Sequence, residues 1–263
     1  MFSMLTGVVM LVFLLGALTD RQLTAFDLKL GDFSTNLTIR SLELLIPLTA
    51  AAAVLALYHI LRTRLDVPQA QCGFYLILPF AVVMTIGYAL RDISGMQSVC
   101  AALVLGGLLF YLVLYFEYNA CDPSSAGRPI ATMVLSGLSY AVFLLFVMAL
   151  RANVSRLIIA LPSVFLISTA IAMKLYSFTL IRGSIPLHAA VTGAVMTFAA
   201  AGLHYWPIDV ISYGALMFLW YYCFVGLENG ADARLPMRRV LLNLIPAAVP
   251  VLAVMAVLRF GLL

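Results

Sequence analysis

The sequence predicts an all-α integral membrane protein, a polytopic bundle of about nine transmembrane helices with a small surface β-hairpin after the first. Three observations predict it. Of 263 residues, 64% are hydrophobic and only 10% charged, against about 25% charged in ordinary soluble domains. Many apolar runs approach or exceed the roughly 20 residues that cross a bilayer core. Those runs recur along the chain with short breaks such as "RDISGM", "RANVSR" and "HYWPID". Residues 1–263 therefore read as a single polytopic membrane domain.

Taken in order, the apolar runs between charged or Pro/Gly breaks predict helices over 2–19, 40–61, 72–90, 97–117, 129–150, 156–181, 186–204, 208–227 and 239–262. Short connections make successive helices antiparallel neighbours. A merger of the third and fourth into a re-entrant pair gives eight as the alternative count. The first run has no charged residues before it, so it reads as a retained span rather than a cleaved signal peptide.

The segment "FDLKLGDFSTNLTIR" departs from this pattern. Phe26, Leu28 and Leu30 alternate with Asp27 and Lys29. Gly31, Asp32 and Ser34 then interrupt, and Leu37 and Ile39 alternate with Thr38 and Arg40. Period two around a turn-rich middle predicts a β-hairpin within residues 20–40, lying on the membrane surface. A surface amphipathic segment without a sheet is the competing reading.

Orientation follows the Lys and Arg of short loops. The side holding the N-terminus collects Arg62, Arg64, Arg128, Arg182, Arg234, Arg238 and Arg239. The other collects Arg21, Lys29, Arg40, Arg91, Arg151, Arg156 and Arg259, a tie at seven each. Discounting the hairpin as a folded exoplasmic segment breaks the tie. The expectation is then a cell-membrane protein with its N-terminus cytoplasmic. The net charge of +4 is scattered, with no basic block to grip nucleic acid. Cys72, Cys100, Cys121 and Cys223 are widely spaced and form no CxxC, so they indicate neither a disulfide framework nor a zinc site.

Few polar residues fall within or beside the spans. Lys174, one of two lysines, lies eight residues before Arg182, about 12 Å along an ideal helix. Its expected role is to snorkel its ammonium to the headgroups. Glu117 and Asp122, five apart in "YFEYNACDPSSAGRP", and Glu228 gather at the N-terminal side near Arg128 and Arg182. Glu117, Asp122, Arg128, Lys174, Arg182 and Glu228 are thus the candidate set for a substrate or a phosphate headgroup. No catalytic residue and no metal ligand is predicted.

His59 closes the second predicted helix and His188 opens the seventh, so the two share a depth. Facing imidazoles would ligate a haem; the competing reading has each bonding headgroups. The runs "FYLVLYFEY" and "LWYYCF" raise a pigment or quinone pocket against ordinary helix packing and interfacial anchoring. No cofactor is predicted. Gly106, Gly107 and the stretch "AAAGL" offer small surfaces for close helix approach.

The elements "FEYNACDP", "LHYWPI", "GALMFLWYYCFVGLENG" and "RLPMRRVLLNL", in that order between Phe116 and Leu244, resemble a family of multi-pass proteins from green non-sulfur and related bacteria. That family is catalogued as a domain of unknown function. The resemblance implies an all-helical membrane fold and carries no binding or catalytic residues. The expected role is a non-catalytic subunit or scaffold of a membrane complex, with membrane lipids and partner proteins around it. The alternative is an enzyme or transporter for a lipid-linked or amphipathic substrate at the cytoplasmic face. A haem- or pigment-binding subunit is the third reading.

Overall fold

A computed structural model of the chain describes residues 2–18, 22–30, 33–65, 69–92, 95–122, 125–153, 156–179 and 184–232. Those residues hold eight helices and one pair of strands. They fall into two compact units, Met1–Leu135 and Ser136–Leu263. The ninth predicted helix, 239–262, lies outside the described residues.

The first unit contains α1 (Phe2–Leu18), α2 (Ser41–Leu65), α3 (Gln69–Asp92), α4 (Met96–Cys121) and the first turns of α5 (Arg128–Asn153). Helices α1 to α4 pack in a ring, each against its two neighbours, with α1 closing on α4. The glycine pair of α4 faces two partners. A Cβ at Gly106 would sit 3.0 Å from the Ile86 side chain on α3, and one at Gly107 would sit 3.1 Å from Met10 on α1. Glycine lets both backbones approach α4 closely, the packing that these residues predict. Third and fourth runs are separate helices, joined through Gly95, whose φ of 99° suits a residue without a Cβ.

Between α1 and α2 the backbone forms β1 (Gln22–Leu30) and β2 (Phe33–Arg40). They pair antiparallel with Leu30 opposite Phe33, and the register shifts between Gln22 and Thr24.

The second unit holds the rest of α5 with α6 (Leu157–Phe178), α7 (Ile185–His204) and α8 (Val210–Asp232). Helices α6 and α7 make the closest pair. Gly193 is the reason: a Cβ there would overlap Thr169 Oγ1 and lie 3.1 Å from the carbonyl oxygen of Phe165. Helices α5 and α8 meet instead through large rings, with Phe143 stacked on Tyr221 at 4.1 Å and Tyr140 edge-on to Phe218 at 6.0 Å.

Helix ends differ from the predicted ones for local reasons. Helix α4 runs on to Cys121, where Asp122 turns extended and its N–H bonds the Tyr118 carbonyl. Helix α8 continues past Gly226 and Gly230 to Asp232, because Glu228 in that last stretch is fastened to α6 and α7. Helix α6 stops at Phe178, with the Thr179 N–H bonded to Tyr176 O.

Candidate functional site

Four polar side chains of the second unit converge at one end of three helices. Tyr176 lies two residues before the end of α6, His188 in the first turn of α7, and Glu228 in the last stretch of α8. The Tyr176 hydroxyl donates to Glu228 Oε2. Thr192, one turn after His188, reaches the same oxygen at 3.1 Å and the Tyr176 hydroxyl at 2.8 Å. Its hydroxyl also lies 2.9 Å from the His188 carbonyl. Across from these, Glu228 Oε1 faces His188 Nδ1 at 3.9 Å.

Accessibility is graded through the cluster. The His188 side chain is 37% exposed and that of Glu228 16%, whereas Tyr176 and Thr192 are fully enclosed. About 10 Å deeper along α8, two helical turns on, the buried Tyr221 hydroxyl donates to Ser168 O on α6 at 3.0 Å. The α6–α8 contact is thus pinned at two levels, by a charged group near the helix ends and a neutral one within.

A second fastening serves the opposite end of α7. Arg151, in the last turn of α5, donates to His204 O at 2.8 Å and to Trp206 O at 3.2 Å. Those carbonyls belong to the end of α7, where helices leave acceptors unfilled and cations are favoured. The guanidinium also lies over the Tyr213 ring of α8, 5.1 Å from its centre. Helix α8 itself starts on Asp209, whose carboxylate accepts the Ser212 N–H at 3.0 Å as an N-cap. The Ser212 hydroxyl, and after it that backbone bond, hold the Asp209 carboxyl below its ordinary 3.8.

Of the candidate binding set, Glu228 enters this cluster. Lys174 is fully enclosed by protein, with its Nζ 4.6 Å from the centre of the Phe178 ring one turn on. The stem runs toward the helix end, as snorkelling requires, but the aromatic ring covers its head. Glu117 is likewise fully buried, and α4 continues one turn beyond it. Asp122 is the residue that ends α4. The two acids, five apart, stand about 140° apart around a helix and do not share a face. Arg128 is exposed at the start of α5. Arg182 lies outside the described residues. Glu117, Asp122 and Arg128 belong to the first unit, Lys174 and Glu228 to the second.

His59 is exposed on α2 of the first unit and His188 is in the second. The described cysteines, Cys100, Cys121 and Cys223, are free thiols. Sequence reasoning did not group Tyr176 and Thr192 with Glu228. The available signal was the spacing of His188 and Thr192, four apart on one helix face, with Tyr176 beside the conspicuous Lys174.

Among the described residues, six helices are long and apolar enough to cross a membrane: Leu45–Thr63 within α2, and most or all of α4 to α8. Their outward faces carry Val104, Met133, Ile158 and Phe198, 71–81% exposed. Apolar surface of that extent calls for a non-aqueous surrounding. The class so defined is a polytopic α-helical membrane protein. Within it, the chain belongs to the family described as "Protein of unknown function (DUF5656)", whose model matches residues 21–259. No curated protein and no solved structure matches the chain.

Proposed function

We propose that this protein is a non-catalytic subunit or scaffold of a membrane complex, with its N-terminus cytoplasmic and the β1–β2 pair on the exoplasmic surface. The observation that carries this reading is how the second unit uses its polar groups. Arg151, Tyr221, Tyr176 and Thr192 each bond a group on another helix. Thr197 and Ser163 bond carbonyls of their own helices, at 2.8 Å each. Pumps and channels instead set charged or polar groups along a path for the transported species. Extraction in mild detergent at native expression level tests the reading. Co-purification of a stoichiometric partner is expected, and a monodisperse monomer with nothing bound would count against it.

A second reading is favoured by one feature, the half-open carboxylate of Glu228 at the helix ends. On it, the protein is an enzyme or transporter for a lipid-linked or amphipathic substrate at the cytoplasmic face, and Glu228 contacts the substrate. Lys174, Glu117, Asp122, Arg128 and Arg182 are the further candidates. Under this reading a deletion strain has an altered membrane-lipid profile that Glu228→Gln fails to restore. An unchanged profile in the deletion strain would remove its support.

A further inference from the structure

We propose that the Glu228 cluster binds the ammonium group of an amphipathic amine, such as an aminolipid headgroup or a free alkylamine. This deepens the second reading above, on which Glu228 meets the substrate, and replaces a phosphate with a cation as the recognised group.

Proton counting supports the choice. The Tyr176 and Thr192 hydroxyls hold one proton each. Tyr176 spends its proton on Glu228 Oε2. Thr192 has three acceptors within reach, the His188 carbonyl, Oε2 and the Tyr176 oxygen, for its single proton. Neither hydroxyl serves Oε1, which faces His188 Nδ1 at 3.9 Å, outside hydrogen-bond distance. Among the described residues acceptors therefore exceed donors, and the surplus lies on the more exposed side. A phosphate or carboxylate would bring more acceptors and more negative charge. An ammonium brings donors alone and a positive charge.

Helix α6 ends two residues after Tyr176 and α7 begins just before His188, so a negative and a positive helix end offset one another here and the carboxylate itself decides the sign of the ligand. Lys174 is the nearest described cation in sequence, but it lies about 200° around α6 from Tyr176 and its Nζ rests over Phe178.

The test uses the full chain in phosphatidylcholine nanodiscs, with the His188 imidazole resonance followed during titration with dodecylamine, dodecanol or water-soluble ethylammonium. A saturable shift with dodecylamine and none with dodecanol is expected. Glu228→Gln, checked for native helicity, should weaken binding roughly tenfold to a hundredfold, the worth of one to two charge-assisted hydrogen bonds. Ser163→Ala, at a hydroxyl that bonds Ile159 O of its own helix at 2.8 Å, should still bind. Competition by phosphatidylethanolamine in the nanodisc would identify a lipid headgroup as the source, and saturation by ethylammonium a free amine. Absence of a saturable shift with either amine, or equal binding by Glu228→Gln, would overturn the proposal. If amines fail to bind while Glu228→Gln still disturbs the lipid profile, the ammonium assignment falls and the lipid-substrate reading stands. If amines bind and deletion leaves lipids unchanged, the reverse holds.

Discussion

Gly193→Ala is expected to loosen the α6–α7 contact on which the Glu228 cluster is built. The added Cβ would overlap Thr169 Oγ1 and stand 3.1 Å from Phe165 O and 3.2 Å from Phe165 Cδ2. Threonine can rotate its hydroxyl away. The Phe165 carbonyl belongs to the α6 backbone, so α7 must retreat by a few tenths of an ångström. Overpacking of this kind costs about 1–3 kcal/mol. The gain in helix propensity from Gly to Ala returns up to about 1 kcal/mol. The net expectation is a loss of about 1–2 kcal/mol, together with a longer Tyr176–Thr192 hydrogen bond, now 2.8 Å. Unfolding in mixed dodecylmaltoside–SDS micelles, followed by circular dichroism, measures it. Gly202→Ala is the control, because a Cβ there meets nothing within 4 Å, and it should be neutral or slightly stabilising. Thr169→Ala in the Gly193→Ala background should recover part of the loss. If Gly193→Ala proves as stable as Gly202→Ala, the close approach does not limit this packing and the reasoning fails.

Tyr176→Phe should destabilise by about 1–2 kcal/mol, between the value for hydrogen bonds to charged groups in soluble proteins and the smaller average inside bilayers. Combined with Thr192→Val it should be non-additive in the same assay, since both hydroxyls serve Glu228 Oε2. Arg151→Ala uncaps the end of α7 and should cost about 1–2 kcal/mol, with Arg151→Lys intermediate, and hydrogen exchange near His204 should rise in step. The lowered pKa of Asp209 means that its capping contribution is present above pH 3.8 and is lost as pH falls through the lower folded-state value. Asp209→Asn, which still caps, should flatten that acid limb in a pH-stability profile. Protein from haem-replete cells is expected to be colourless. A Soret band abolished by both His59→Ala and His188→Ala would establish the haem reading instead.

The membrane class, the approximate places of the eight described helices and the close packing at Gly106 and Gly107 are legible in the order of residues. These are local properties: run length, the breaks between runs, and small residues. Which polar groups meet depends on how the helices pack. Tyr176, Thr192 and Glu228 lie on three helices, and Glu228 is 52 positions from Tyr176. In a water-soluble bundle an apolar stripe shows which face of each helix turns inward. In a bilayer the outward face is as apolar as the core, and hydrophobic pattern no longer separates them. The sequence accordingly placed Lys174 and Glu117 by distance from the helix ends, as headgroup residues. Their direction around the helix buries both, and that direction is set by packing among the helices.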